Sequence, residues 1–98
     1  MGKTVQGRAV VIKKRKDYSK IKPGTILIAK EAHPDLVISA RKIKGIAIEE
    51  DNKLCHAAIV AREFGIPILM GMEGIVKEFK TGEKIALDLE RKTAYKIK

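Results

Sequence analysis

Short, almost uninterrupted apolar segments constrain the fold of this 98-residue chain more than any other feature. Three of them lie at residues 25–29, 46–48 and 68–70. Apolar runs of this length are typical of strands that are covered on both faces. The sequence therefore predicts a central sheet with helices packed against it.

The remaining segments complete a predicted order of β, β, α, β, α, β, short α, β, β. Further strands are predicted at 4–12, 84–89 and 93–97, and helices from Pro34-Asp35 onward, from Cys55 to Phe64 and over 73–79. The second helix is apolar all round over 57–61, which predicts that it is buried, and Gly65 is placed to cap it. Gly45 is expected to introduce the strand at 46–48. We expect one α/β domain over residues 1–98, with a central mixed sheet and flanking helices.

The formal net charge of +9 is concentrated in the first half of the chain. Six Lys or Arg residues fall between Lys13 and Lys22, in a segment predicted to be a loop or a ragged strand extension. Such a patch attracts nucleic acid, an acidic partner or a phosphorylated ligand, whereas the simpler interpretation is a solvated Lys-rich loop. Tyr18 is the one aromatic residue among these lysines, so no stacking platform for single strands is indicated and nucleic acid is not the expected partner.

Several classes of protein and site are disfavoured. No run of 18 apolar residues exists and the N-terminus lacks a signal-peptide pattern, so a cytoplasmic protein is expected. Cys55 is the single cysteine, and His33 and His56 lie far apart, so no metal site is expected. His33 is expected in an exposed turn. Low Asn and Gln content beside abundant Lys, Glu and Ile is typical of a thermophile.

His56 stands at the start of the second predicted helix. The first backbone N–H groups of a helix have no intrahelical partner, and the helix dipole is positive there. An anion at this position gains hydrogen bonds, and imidazole can form a covalent phosphoryl intermediate. A histidine at a helix start is more commonly a capping or packing residue, so the spacing alone leaves both interpretations open.

The segment around His56 carries a specific resemblance. Residues 56–67 read His-Ala-Ala-Ile-Val-Ala-Arg-Glu-Phe-Gly-Ile-Pro, and Gly71 follows. This resembles the phosphohistidine signature of phosphoenolpyruvate-utilising enzymes, which include phosphoenolpyruvate synthase, pyruvate phosphate dikinase and enzyme I of the sugar phosphotransferase system. Similarity continues at 23–29, 33–37 and 82–88, so it covers nearly the whole chain in order.

The resemblance implies a stand-alone swivelling β/β/α domain whose histidine, here His56, is transiently phosphorylated. Cys55, Ala57 and Ala58 would lie next to the phosphoryl group. The domain itself would bind no cofactor, and phosphoenolpyruvate or ATP would be the ultimate donor. Protein partners would supply, in trans, a nucleotide- or phosphocarrier-binding site and a site for phosphoenolpyruvate and pyruvate. The chain would thus be the phosphohistidine component of a phosphotransferase and not a complete enzyme.

The loop before His56 departs from the family pattern. Asp51 and Asn52 replace a Gly-Gly pair, and Leu54 replaces a threonine expected to hydrogen-bond near the histidine or the phosphate. Asp51 adds negative charge near the arriving phosphoryl group, although both Asp51 and Asn52 can form a turn. These departures support an alternative, a non-catalytic interaction module with the same fold. Arg62 and Glu63 are interpreted as structural or interface residues.

Overall fold

One sheet of six strands organises the chain, and a computed structural model describes it over residues 3–97. The strands are β1 Thr4–Ile12, β2 Thr25–Ala29, β3 Ile43–Ile48, β4 Ile68–Leu69, β5 Lys84–Asp88 and β6 Thr93–Lys96. The helices are α1 Leu36–Ser39, α2 His56–Phe64 and α3 Ile75–Glu78, with 3₁₀ helices at Arg15–Lys20 and Ala40–Lys42. Within residues 3–97, no helix is long and apolar enough to cross a membrane.

The strand order is β4-β3-β2-β1-β5-β6. Strands β1 to β4 are parallel, whereas β5 runs antiparallel to β1 and β6 runs antiparallel to β5. The carboxyl ends of the four parallel strands therefore meet at one edge of the sheet, which is named the carboxyl edge below. Loops that leave this edge are the usual location of binding residues in α/β sheets.

Alternate residues of the strands enter two cores, as the pleat of a strand requires. Val10 and Leu27 face the layer that contains α1, α2 and the 3₁₀ helix at 15–20. Ala9 and Ile26 face the opposite core, which α3 covers. All five residues of β2 are buried, so the predicted coverage of this strand on both faces is confirmed. The predicted α/β class with a central mixed sheet is confirmed as well.

The boundary between α1 and β3 differs from the prediction. Strand β3 begins at Ile43, so Gly45 lies inside it and does not introduce it. A side chain at position 45 would place its Cβ 3.1 Å from Ile26 Cδ1 and 3.1 Å from Leu87 Cδ1. Gly45 therefore serves close packing inside the sheet, whereas it was expected to introduce the strand.

The exposure of α2 also differs from the prediction of a fully buried helix. Ala57, Ala58, Val60 and Ala61 are buried, but Ile59 is 48% exposed. The helix forms an outer layer on one face of the sheet, so the ridge that points away from the sheet meets solvent. At its end, the Arg41 guanidinium lies over the Phe64 ring at 5.8 Å and shields part of it.

Candidate functional site

The loop between β3 and α2 leaves the carboxyl edge and is fixed on both sides. The Glu49 N–H donates to the Ala29 carbonyl oxygen at 3.1 Å, and the Glu50 N–H donates to the Lys30 carbonyl oxygen at 2.9 Å. The Gly71 N–H in turn donates to the Glu50 carbonyl oxygen at 3.0 Å. These bonds extend the parallel pairing beyond the strands and set the starting point of the loop.

A tight turn then leads into α2. The Asn52 Oδ1 accepts the Leu54 N–H at 2.9 Å, and the Asn52 carbonyl oxygen accepts the Cys55 N–H, also at 2.9 Å. This is the local side-chain turn that Asn and Asp favour, so the turn expected of Asp51-Asn52 is present. The Asp51 carboxyl group lies against Gly71, where an added Cβ would stand 3.1 Å from Asp51 Cγ.

Cys55 is the N-cap of α2 and is buried at 7% exposure. Its backbone is extended, with φ −70° and ψ 160°, and its carbonyl oxygen accepts the Ile59 N–H at 3.1 Å. Its side chain makes no capping hydrogen bond. Consequently the N–H groups of His56, Ala57 and Ala58 have no acceptor within residues 3–97. An extended cap residue followed by unpaired donors is the arrangement in which helices bind anions.

His56 is the first residue of α2, and it is exposed. Ala57 and Ala58, directly after it, are buried in the core and hold this end of the helix on the sheet. Leu54 is 80% exposed, so it contributes a bare apolar surface where the family pattern has a hydroxyl. Arg62 is exposed as well. It lies six residues after His56, about 9 Å farther along the helix axis, and is therefore not near the helix start.

The structure therefore brings Asn52, Leu54, Cys55 and His56 together in one turn, with Ala57 and Ala58 beneath it. The contact between Asp51 and Gly71 was not anticipated. The one sequence feature that could have indicated this contact is Gly71. A glycine adopts the positive φ of +71° found here and, because it has no Cβ, leaves space for the Asp51 carboxyl group.

The loop that follows β1 leaves the same edge. The Asp17 Oδ2 accepts the Lys13 and Lys14 N–H groups at 2.9 and 3.0 Å, and its Oδ1 pairs with Lys20 Nζ at 3.1 Å. These donors, the two backbone N–H groups above all, lower the pKa of Asp17 from 3.8 to about 2. The segment predicted as a loop is a 3₁₀ helix because Asp17 closes its first turn.

His33, predicted in an exposed turn, is half-buried. Its N–H donates to the Tyr18 hydroxyl oxygen at 2.9 Å, and its Nδ1 accepts the Asp35 N–H at 3.1 Å. Tyr18 itself is buried, and burial raises the pKa of its hydroxyl. The Tyr18 ring packs beside the His33 ring and is buried, so it offers no exposed face to a nucleic-acid base. Between residues 3 and 97 no cluster of three His, Cys, Asp or Glu side chains could hold a metal ion.

Comparison with protein families gives a match to the PEP-utilising enzyme mobile domain over residues 21–92. The chain belongs to this family. The match includes the whole of the turn and helix that carry His56.

Relatives of known name agree with this assignment. The chain is 37% identical over 90 residues to the probable phosphoenolpyruvate synthase of Pyrococcus horikoshii, which covers 92% of this chain and 11% of that protein. It is 33% identical over 95 residues to the pyruvate kinase of Bacillus licheniformis, covering 96% of this chain and 16% of that protein. The chain thus spans only a small part of the length of these curated relatives.

Solved structures share the fold. The solution structure of enzyme I superposes with a TM-score of 0.61 at 21% identity, over 76% of this chain and 31% of that one. The aconitase X of Thermococcus kodakaraensis, in its holo form, superposes with a TM-score of 0.68 at 18% identity, over 99% and 92%. Proteins of such different names show that this fold alone does not determine function.

Proposed function

We propose that this mobile domain carries a phosphoryl group transiently on His56. The observation that supports the proposal most directly is the exposed imidazole at the first position of α2, beside three backbone N–H groups without acceptors. A phosphoryl group on the ring would lie close to these donors and at the positive end of the helix dipole. Family membership makes this arrangement relevant to phosphoryl transfer.

In the proposed reaction a ring nitrogen of His56 attacks the phosphorus atom of the donor. The new N–P bond forms as the bond between phosphorus and the donor oxygen breaks, and that oxygen leaves with its electron pair. With phosphoenolpyruvate the leaving group is the enolate of pyruvate, and with ATP it is ADP. The reverse step on a second partner regenerates the free histidine.

The proposal also includes protein partners that supply the donor and the acceptor of the phosphoryl group. A partner that binds a nucleotide or a phosphocarrier would load the histidine, and a partner that binds phosphoenolpyruvate or pyruvate would exchange the group. The small share of the phosphoenolpyruvate synthase and pyruvate kinase relatives that this chain spans agrees with such a division of labour.

The test is phosphorylation of the full chain by phosphoenolpyruvate or ATP, in the presence of candidate partner domains. We expect acid-labile, base-stable phosphate detected by ³¹P NMR and intact mass, and its complete loss in His56→Ala. The matched control is His33→Asn, which keeps a hydrogen-bond acceptor for the Asp35 N–H. Equal labelling of wild type and His56→Ala, or no labelling where a full-length relative is labelled, would refute the proposal.

The departures in the turn favour a second candidate, an interaction module that has lost the chemistry. Leu54 presents an apolar surface next to His56, and Asp51 brings a carboxylate into the loop. A His56→Ala variant that keeps full partner binding and cellular function would support this candidate over the first.

A further inference from the structure

A concave site lies at the opposite end of the parallel strands from His56. It is a cleft of about 650 Å³ between the turn that precedes β2 and the turn that precedes β5. Strand residues Arg8, Ala9, Val10 and Thr25 line it, and its two walls are residues 19, 20 and 22–24 on one side and 81–82 on the other. The volume lies within the range of small-molecule sites.

The first wall is firmly held. The Thr25 Oγ1 accepts the Lys22 N–H at 3.0 Å and donates to the Lys22 carbonyl oxygen at 2.7 Å. A Cβ at Gly7 would approach the Gly24 carbonyl oxygen to 2.3 Å, so this turn packs directly onto β1. This wall of the cleft is therefore preformed.

Positive charge gathers in the cleft, and of its three cations only Lys20 is paired with a carboxylate, that of Asp17. Arg8, Lys20 and Lys22 line it, and no carboxylate does. Arg8 also stands directly opposite Lys84 in the antiparallel register of β1 and β5, an arrangement that destabilises a sheet unless an anion lies nearby.

The nearby carboxylates leave Arg8 and Lys22 unpaired. The Asp17 carboxylate bonds two backbone N–H groups and Lys20. The Glu83 carboxylate accepts the Lys80 N–H at 2.7 Å and pairs with Lys96 at 3.0 Å. Within residues 3–97, neither Arg8 nor Lys22 has a carboxylate within 4 Å.

The Arg8 guanidinium is already oriented. Its Nη1 donates to the Gly82 carbonyl oxygen at 2.8 Å. This bond fixes one side of the planar guanidinium group and leaves its other N–H groups free to bind a ligand. A planar fork of this kind matches the geometry of phosphate and carboxylate groups. Val10 and Pro23 supply an apolar wall beside it.

We propose that this cleft binds a small organic oxyanion, a phosphate ester or a carboxylate, with the anion on Arg8 and Lys22 and the apolar body against Val10 and Pro23. The site is separate from His56, which stands at the start of α2 beyond the carboxyl edge. Its occupation thus requires no phosphoryl transfer and no phosphorylated histidine.

The experiment is a ¹⁵N NMR titration of the full chain with phenyl phosphate, benzoate and inorganic phosphate. We expect saturable shifts of the Gly24, Thr25 and Gly82 amides, with phenyl phosphate or benzoate binding more tightly than inorganic phosphate. Whichever of phenyl phosphate and benzoate has the higher affinity distinguishes a phosphate ester from a carboxylate as the ligand. Arg8→Gln should weaken binding about tenfold, the effect of losing a charge-assisted hydrogen bond.

Lys16→Gln is the matched control, because it removes the same charge from the same basic segment but lies outside the cleft. His56→Ala should bind like wild type, which separates this site from phosphate bound at α2. If Arg8→Gln loses its dispersed spectrum, Lys22→Gln, an exposed position, carries the test. Equal weakening by Lys16→Gln, shifts centred on residues 54–58, or displacement of phenyl phosphate by a single-stranded oligonucleotide would overturn the proposal.

Discussion

Two of the loops that leave the carboxyl edge of the sheet, those after β1 and β3, use their hydrogen-bonding groups in opposite ways. The loop after β1 is dense in charge, yet Asp17 binds its Lys13 and Lys14 N–H groups and its Lys20 ammonium. The loop after β3 is sparse in cations, yet it delivers a helix whose first three N–H groups lack acceptors between residues 3 and 97.

The difference shows that the density of charge in a sequence does not by itself locate ligand donors. A basic segment can bind a buried carboxylate of its own, and part of its positive charge is then neutralised within the loop. A turn without a cluster of cations can present donors to a ligand, because a helix start needs only an extended cap residue without a capping side chain. The following predictions test each side of this comparison.

The largest expected effect is on stability. Asp17→Ala removes the acceptor of two backbone N–H groups and leaves them beside the core, so we expect the free energy of unfolding to fall by about 2 kcal/mol. Chemical denaturation monitored by circular dichroism measures it. Asp51→Ala, a change of the same type in the other loop, should cost less, because Asp51 is exposed and accepts no side-chain hydrogen bond within residues 3–97. Equal costs at the two positions would contradict the comparison.

The same carboxylate gives a pH dependence. Because the folded-state pKa of Asp17 is lowered from 3.8 to about 2, its contribution is complete above about pH 4 and is lost as the pH falls toward 2. Wild type should therefore lose its stability advantage over Asp17→Ala across this window. A stability difference between the two proteins that stays constant from pH 5 to pH 2 would show that the charge of Asp17 is not what holds the loop.

The sequence was sufficient for the order of elements and for the position of the helix that carries His56, because apolar runs and the Gly65 cap are local signals. It was insufficient where packing decides. Gly45 was expected to precede the strand. It lies inside β3 because the neighbouring Ile26 and Leu87 side chains leave little room for a Cβ there. His33 was expected in an exposed turn, and its contact with Tyr18, 15 residues away, leaves it only half exposed.

The site follows the same division. The turn at Asn52 is a local property of its side chain and could be predicted. The burial of Cys55 and the contact of Asp51 with Gly71 depend on residues from other strands and loops, so no local pattern reveals them. The cleft at Arg8 was missed for the same reason, since β1 and the turns before β2 and β5 meet there only in the folded chain.

The unpaired N–H groups at the start of α2 can be tested at the N-cap. Cys55→Asp places a carboxylate at the N-cap of α2, where it accepts the Ala57 or Ala58 N–H and repels an incoming phosphoryl group. We expect phosphorylation of His56 to fall about tenfold, because the carboxylate both takes one of these donors and repels the phosphoryl group. Cys55→Ser, which caps without charge, is the control and should keep most of the phosphorylation. Unchanged labelling of Cys55→Asp would mean that these N–H groups do not hold the phosphoryl group.

The smallest expected effect tests the departure at position 54. Leu54→Thr restores the hydroxyl of the family pattern, and since Leu54 is 80% exposed, stability should change by less than about 0.5 kcal/mol. If His56 is a carrier, one additional hydrogen bond should raise the extent of phosphorylation about threefold. Ile38→Thr, an equivalent change at a residue of α1 that is 81% exposed, is the control and should leave it unchanged. Loss of partner binding in Leu54→Thr, without any phosphorylation in either protein, would instead show that this exposed leucine serves an interaction surface and that the chemistry of the family has been given up here.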